Sequence, residues 1–227
     1  KKKKKESIGN QFGAIGVKEF RGELGRANAQ FTSLGLSAEE SQSTISNLAN
    51  EFGLSVDESA ALSENVSRLA VSTGATLEDT TTLVGLFTQT QNLTGEQAAN
   101  LLASTTALAN ANNVAPDKVL ADVAQSTEFF AKFADDGGQN ILKAAVQARK
   151  LGINLQSVEK ITTGLLDFQT SLNAEQEASV IIGRRLNFQK ARELALANDV
   201  TGATAEVVKQ LGTAEEFNRL NAIFFFF

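Results

Sequence analysis

Apolar positions along the chain recur at steps of three and four: Ala98, Leu101, Leu102, Thr105 and Leu108 in one stretch, Ile141, Ala144, Ala145 and Ala148 in another. That spacing lines one face of an α-helix, and the strict alternation of a half-buried strand is absent. Between such stretches stands a repeated punctuation of a turn residue, an apolar residue and a polar residue. It reads Gly35-Leu36-Ser37, Gly53-Leu54-Ser55, Gly74-Ala75-Thr76, Asn92-Leu93-Thr94, Gly152-Ile153-Asn154 and Ser171-Leu172-Asn173. A Gly or Asn takes the left-handed conformation that ends one helix, and the following Ser, Thr or Asn accepts a hydrogen bond from the free amides that open the next. Glu40, Glu58 and Gln97 stand three residues after their caps, so capping boxes are expected there, and Asp79 places negative charge on a first turn.

The starts are regularly spaced. Ser37 to Ser55 is 18 residues, Ser55 to Thr76 is 21, Thr76 to Thr94 is 18 and Thr94 to Ala115 is 21, a unit of 39. Pro116 occupies the first helical turn after Ala115, another 39 residues reach Asn154, and the intervening turn falls near Asp135-Asp136-Gly137-Gly138. Ile45, Val84 and Val123 align in this register, as do Leu54 with Leu93 and Leu62 with Leu101. The pattern predicts an all-α fold, an array of antiparallel helical hairpins whose stacked neighbours bury faces that no hairpin covers alone.

Three regions are expected. Residues 1–35 hold Gly9, Gly13, Gly16, Gly22 and Gly25 among few large apolar residues, so a helix there supports itself poorly and needs a partner. Residues 36–172 form the array. Residues 173–227 form one long helix from Ala174 to about Ala197, then a short helix started by Thr213 with Glu216.

Composition narrows the chemistry. With 42% hydrophobic residues over 227 positions, a buried core in one or two domains is expected. Net charge is -5, and -10 without the five opening lysines, which argues against a primary nucleic-acid-binding role because that requires clustered Lys and Arg facing phosphates. No run approaches the roughly 18 apolar residues of a membrane-spanning helix, and no signal peptide is apparent. His, Cys, Met, Trp and Tyr are absent, while the chain opens on five lysines and closes on four phenylalanines. A translated chain does not read this way. The expectation is that both homopolymers are placeholders, that residue types were assigned by side-chain shape, and that the chain is a fragment of a longer one.

Taken as written, the residues exclude thiolate metal sites and histidine-based catalysis. Asp135 and Asp136 lack the alternating ligands and distal Glu of a calcium loop and are read as capping the helix that begins near Gly138. Gly137-Gly138 and Thr163-Gly164 lack the Gly-Lys-Ser/Thr ending of a phosphate loop. The glycosylation triplets at Asn65 and Asn92 are read as ordinary helix and turn residues. No catalytic residue, metal or cofactor is assigned. One dense basic cluster remains, Arg184, Arg185, Lys190 and Arg192, interleaved with Phe188. On a helix 184, 188 and 192 share a face, which makes these five residues the candidate partner contact; the competing reading is a solvated face with Phe188 in the core.

Lys132-Phe133-Ala134-Asp135-Asp136-Gly137-Gly138, followed by Lys143-Ala144-Ala145-Val146-Gln147-Ala148-Arg149-Lys150-Leu151-Gly152, resembles the tail tape measure proteins of contractile-tailed bacteriophages. Gly164-Leu165-Leu166-Asp167-Phe168, Glu177-Ala178-Ser179 and Gly183-Arg184-Arg185-Leu186-Asn187-Phe188-Gln189-Lys190-Ala191-Arg192-Glu193-Leu194-Ala195 resemble the same family, as do Glu206-Val207-Val208 and the stretch from Leu220 to Ile223. The resemblance spans about residues 36–223. It implies a structural, non-enzymatic virion protein in the lumen of the tail tube or its hub end, which sets tube length and leaves ahead of DNA. Its implied partners are tail tube, hub and baseplate proteins, tail assembly chaperones and further copies of itself, three or six. A compact array differs from the extended rod of a length ruler, so a folded end or a module held by hub, baseplate or tube is expected. Two other classes stay open: a helical-repeat adapter, which shares the 39-residue period, and an axial or secreted filament protein, which shares the Ala, Ser, Thr, Asn and Gln richness.

Overall fold

A computed structural model describes residues 17–211, and every regular element among them is helical. The all-α expectation is met. The chain divides into two compact units, residues 1–103 and 104–227. The expected helix at Thr213 and the two homopolymers lie outside the described residues.

In the first unit α1 (Val17–Ser33), α2 (Ala38–Phe52), α3 (Val56–Thr73) and α4 (Leu77–Thr90) precede α5 (Gly95–Ala111), within which the division falls. Each predicted start is present. Ser37 and Ser55 accept from the amides of Glu40 and Glu58, whose carboxylates accept from the two serine amides in return. Thr76 accepts from the amide of Asp79, and Thr94 with Gln97 completes a third box, Gln97 Oε1 accepting from the Thr94 amide at 2.8 Å. The turn residues Gly35, Gly53 and Gly74 have φ of 81°, 66° and 76°, and Asn92 has 52°.

Packing follows from the apolar faces these caps set in register. Helix α1 lies against α2 and α3, α2 against α3 and α4, and α3 against α4. Ala27, Ile45 and Ala60 meet in one cluster with Leu24 against it, and Phe31 is wholly buried. The described part of the glycine-rich opening therefore finds its covering surface within the same unit. Small polar residues also lie in this core, and two of them are satisfied locally: Ser63 Oγ donates to the Ala60 carbonyl at 2.7 Å and Ser67 Oγ to that of Glu64 at 2.9 Å. Gly85 marks a close approach, because a Cβ there would meet the ring of Phe52 from α2.

The second unit holds α6 (Pro116–Ala124), α7 (Thr127–Phe133), a 3-10 turn (Asp136–Gly138), α8 (Gln139–Lys150), α9 (Leu155–Leu166), α10 (Phe168–Ile182), α11 (Gln189–Leu196) and α12 (Val200–Leu211). The 39-residue register persists in its helix starts, for Ser37, Thr76, Ala115 and Asn154 are all N-caps. Its packing is of a different kind. Helix α12 returns to lie on both α8 and α9, besides packing on α11, whereas units of a linear array touch only their neighbours.

Two sequence expectations are corrected here. Ser171 and Asn173 lie inside α10, whose N-cap is Asp167, accepting from the Thr170 amide. The long helix from Ala174 to Ala197 is instead two helices: α10 ends at Gly183, with φ of 72°, and residues 184–188 are non-helical before α11 starts. A single glycine stops the helix because the left-handed C-cap it adopts is nearly free for Gly, and the strand of chain that follows is held by bonds between residues distant in sequence. The stretch after Pro116 is likewise split, at Gln125 and Ser126, into α6 and α7.

Two tests follow from this packing. Alanine at a helix interior is ordinarily favoured over glycine by about 0.5–1 kcal/mol, but overpacking costs about 1–3 kcal/mol; Gly85→Ala is therefore expected to lower stability in urea unfolding. Ser55→Ala should cost about 1 kcal/mol. The caps also carry a pH signature. Bonds from Ser37, the backbone amide first, hold the Glu40 carboxyl below its ordinary pKa, and bonds from Ser55, the hydroxyl first, do so for Glu58. A depressed folded-state pKa contributes stability that is fully present above the ordinary value, about 4.3, and is lost as pH falls through the lowered one. Amide exchange at the starts of α2 and α3 should quicken, after correction for intrinsic rates, over that acidic window, and Glu40→Gln should remove the dependence in α2.

Candidate functional site

The five basic-cluster residues do not share a helical face. Arg184 and Arg185 lie in the non-helical segment after α10, Phe188 is the N-cap of α11, and Lys190 and Arg192 are on α11. From residue 184 the chain turns back along α10: the Leu186 amide donates to Ser179 Oγ at 2.9 Å, the Phe188 amide to Glu175 Oε2 at 2.9 Å, and Arg192 Nη1 to Ser171 Oγ at 3.0 Å.

Arg192 is the centre of this arrangement and is 5% exposed. Its Nη2 lies 2.8 Å from Glu175 Oε2, and its guanidinium stands 5.5 Å from the centroid of the Phe168 ring. One Glu175 oxygen thus takes both the cation and the amide that begins α11. Phe188 is 4% exposed, so it belongs to the core. Lys190 reaches Glu206 of α12 at 3.7 Å, Arg184 Nη2 donates to the Gln210 carbonyl at 2.6 Å, and Arg185 is exposed. As a contact surface the cluster therefore reduces to its solvent-facing members, with Phe188 and Arg192 spent inside the unit. The competing core reading describes Phe188; neither reading anticipates a buried, paired Arg192.

A second buried ionic group was not anticipated at all. Asp122 of α6 is 3% exposed and takes the Arg149 guanidinium in a two-armed pair, Nε donating to Oδ2 at 2.7 Å and Nη2 to Oδ1. The same Oδ2 accepts from the Leu155 amide at 3.2 Å, the first residue of α9. The geometry repeats that of Glu175: a carboxylate on one helix accepts from the start of another and is neutralised by arginine. Helix N-termini favour negative charge, and pairing offsets the desolvation of a buried carboxylate. The sequence signal for Asp122 is a charged residue among Val119, Leu120 and Val123, on an otherwise apolar face. Glu175 has a weaker one, its four-residue spacing from the cap-like Ser171.

A third anchor fixes the turn at 134–138. Asn140 Oδ1 accepts from the Asp135 amide at 2.8 Å, while its Nδ2 and that of Asn198 both donate to the Phe133 carbonyl, at 2.7 and 3.1 Å. Asp135 caps the 3-10 turn by accepting from the Asp136 amide at 2.9 Å; α8 itself begins after Gly138 with no side-chain cap. The capping expected of this acid pair is thus displaced by one element. Among the described residues no group of three or more His, Cys, Asp or Glu is placed to hold a metal ion, and no helix is long and apolar enough to cross a membrane.

No family model, curated protein or solved structure matches the chain.

The buried Arg192 pair makes a separable prediction. Arg192→Met strands Glu175 without its cation and should lower stability by about 3 kcal/mol, whereas Arg192→Met with Glu175→Gln, which retains an acceptor for the Phe188 amide, should recover more than about 1 kcal/mol of that loss. Urea unfolding of the two single variants and the double variant measures the difference.

Proposed function

We propose that the chain is part of a structural protein of a contractile phage tail, a folded module of the tape measure protein held at the hub, baseplate or tube. The observation that carries this reading is the set of sequence blocks at 132–152 and 183–195 that resemble that family. The arginines of these blocks support a scaffolding role: Arg149 and Arg192 are engaged with carboxylates that fix the starts of α9 and α11. Their charge serves internal architecture, as suits a protein whose work is to hold a shape. The role requires no cofactor and no reaction, and its contacts are with tail tube, hub and assembly proteins and with further copies of the chain.

A second reading, a helical-repeat adapter, is favoured by one observation, the recurrence of helix N-caps at 37, 76, 115 and 154. The stretch between positions 36 and 116 also has the uneven charge of an interaction surface, nine acidic residues and a single basic one, Arg68.

Peptide mass spectrometry on the purified source particle separates the two. Peptides matching residues 144–149 and 189–193 within a much longer chain, beside tube and sheath proteins, are expected for the tail module. A free protein near 24.1 kDa without virion partners would instead establish the adapter.

A further inference from the structure

Three polar atoms in the core of the second unit, Thr162 Oγ1, Arg192 Nε and Thr204 Oγ1, have no hydrogen-bond partner among the described residues. Thr162 is wholly buried, and Thr204 is 3% exposed. Each of the three residues interrupts an apolar buried stripe at the same step: Thr162 between Val158 and Leu165 of α9, Arg192 between Phe188 and Ala195 along α11, and Thr204 between Val200 and Val207 of α12. These three helices pack on one another pairwise. Their connections bring the three residues to one level. Helix α11 ends at Leu196 and α12 begins at Val200, so Arg192 and Thr204 stand four residues to either side of a short helical turn, opposite each other. Thr162 lies about one turn before the Asp167 junction of α9 with α10, and Ser171, whose hydroxyl accepts from Arg192 Nη1, lies about one turn after it. The head of Arg192 therefore reaches the corner in which Thr162 is buried.

We propose that this polar layer is the binding site of one internal water molecule, which accepts from Arg192 Nε and bonds the hydroxyls of Thr162 and Thr204, tying α9, α11 and α12 together at one level. The chemistry of the three groups selects the occupant. Arg192 Nε only donates, so the occupant must accept, while a threonine hydroxyl can do either. An anion also accepts, but the guanidinium charge is already met by Glu175 at 2.8 Å, and a further negative charge in the core would have no counterpart. Water is neutral, and inside proteins it ordinarily makes about three hydrogen bonds, one for each group in the layer. Two such bonds through a single water span about 6 Å, within reach of side chains on helices packed about 8–10 Å apart.

Replacing threonine by valine tests this, because it removes the hydroxyl and keeps nearly the same shape. In an unhydrated layer the change discards a buried polar atom that has no partner, and the folded state gains. With the water in place it leaves Arg192 Nε and the water short of a bond. Thr162→Val and Thr204→Val should then each raise the unfolded-to-folded ratio in urea roughly fivefold or more, and the double variant should fall well short of the product of the two effects, since both act through one water. The double variant should also lose one long-lived water from the oxygen-17 relaxation dispersion of the full chain, measured against the unsubstituted protein. Circular dichroism verifies that each variant is folded. Single variants as stable as the unsubstituted chain or more so overturn the proposal, as does a dispersion that the double variant leaves unchanged. Stability that rises with chloride at constant ionic strength, and loses that dependence in the double variant, also overturns it by assigning the layer to an anion.

Discussion

The constraint on which this protein depends is the chemistry of helix ends. Each α-helix leaves up to four amides at its start and four carbonyls at its end without intrahelical partners. A chain cut into twelve helices between residues 17 and 211 multiplies that demand. Short helices have little intrinsic stability in water, so where each begins and what takes its first amides decides whether its apolar face is presented to a neighbour in register. The two units meet this demand in different ways.

In residues 17–103 the solution is local. A serine or threonine accepts from an amide three residues on, and in three cases a Glu or Gln three residues on closes the box. In residues 104–211 local caps at Asn154 and Asp167 are joined by bonds that cross the fold. Asp122 and Glu175 accept from amides at the starts of α9 and α11, and each carries an arginine that neutralises it. Asn140 and Asn198 perform the corresponding task for the end of α7 by donating to the Phe133 carbonyl. The same kinds of free backbone group are thus satisfied by residues three positions away at the local caps and by residues 7 to 65 positions away at these ends of the second unit.

That difference explains what could be read from the sequence. Local caps have a fixed spacing, so the starts at Ser37, Ser55, Thr76, Thr94 and Asn154 were legible, as was the burial of Ile45, Val84 and Val123 in a common register. A cap supplied from another helix leaves no spacing to recognise. The break after Gly183 was therefore missed, because residues 184–188 look like helix until Ser179 and Glu175 are seen holding their amides. The helical face drawn through the basic cluster breaks for the same reason: a spacing of four has meaning only on a continuous helix, and the partner of Arg192 lies 17 positions earlier on another helix.

The return of α12 onto α8 and α9 has a consequence for the birth of the protein. Helices α1 to α4 bury their faces against elements that precede or closely follow them, so residues 17–103 can acquire their core as they are synthesised. Part of the apolar surface of α8 and α9 has its cover some 50 residues downstream, and contacts of large sequence separation form late. While the second unit leaves the ribosome, that surface stays open until residue 211 has emerged, and through this interval a holding chaperone would find it accessible.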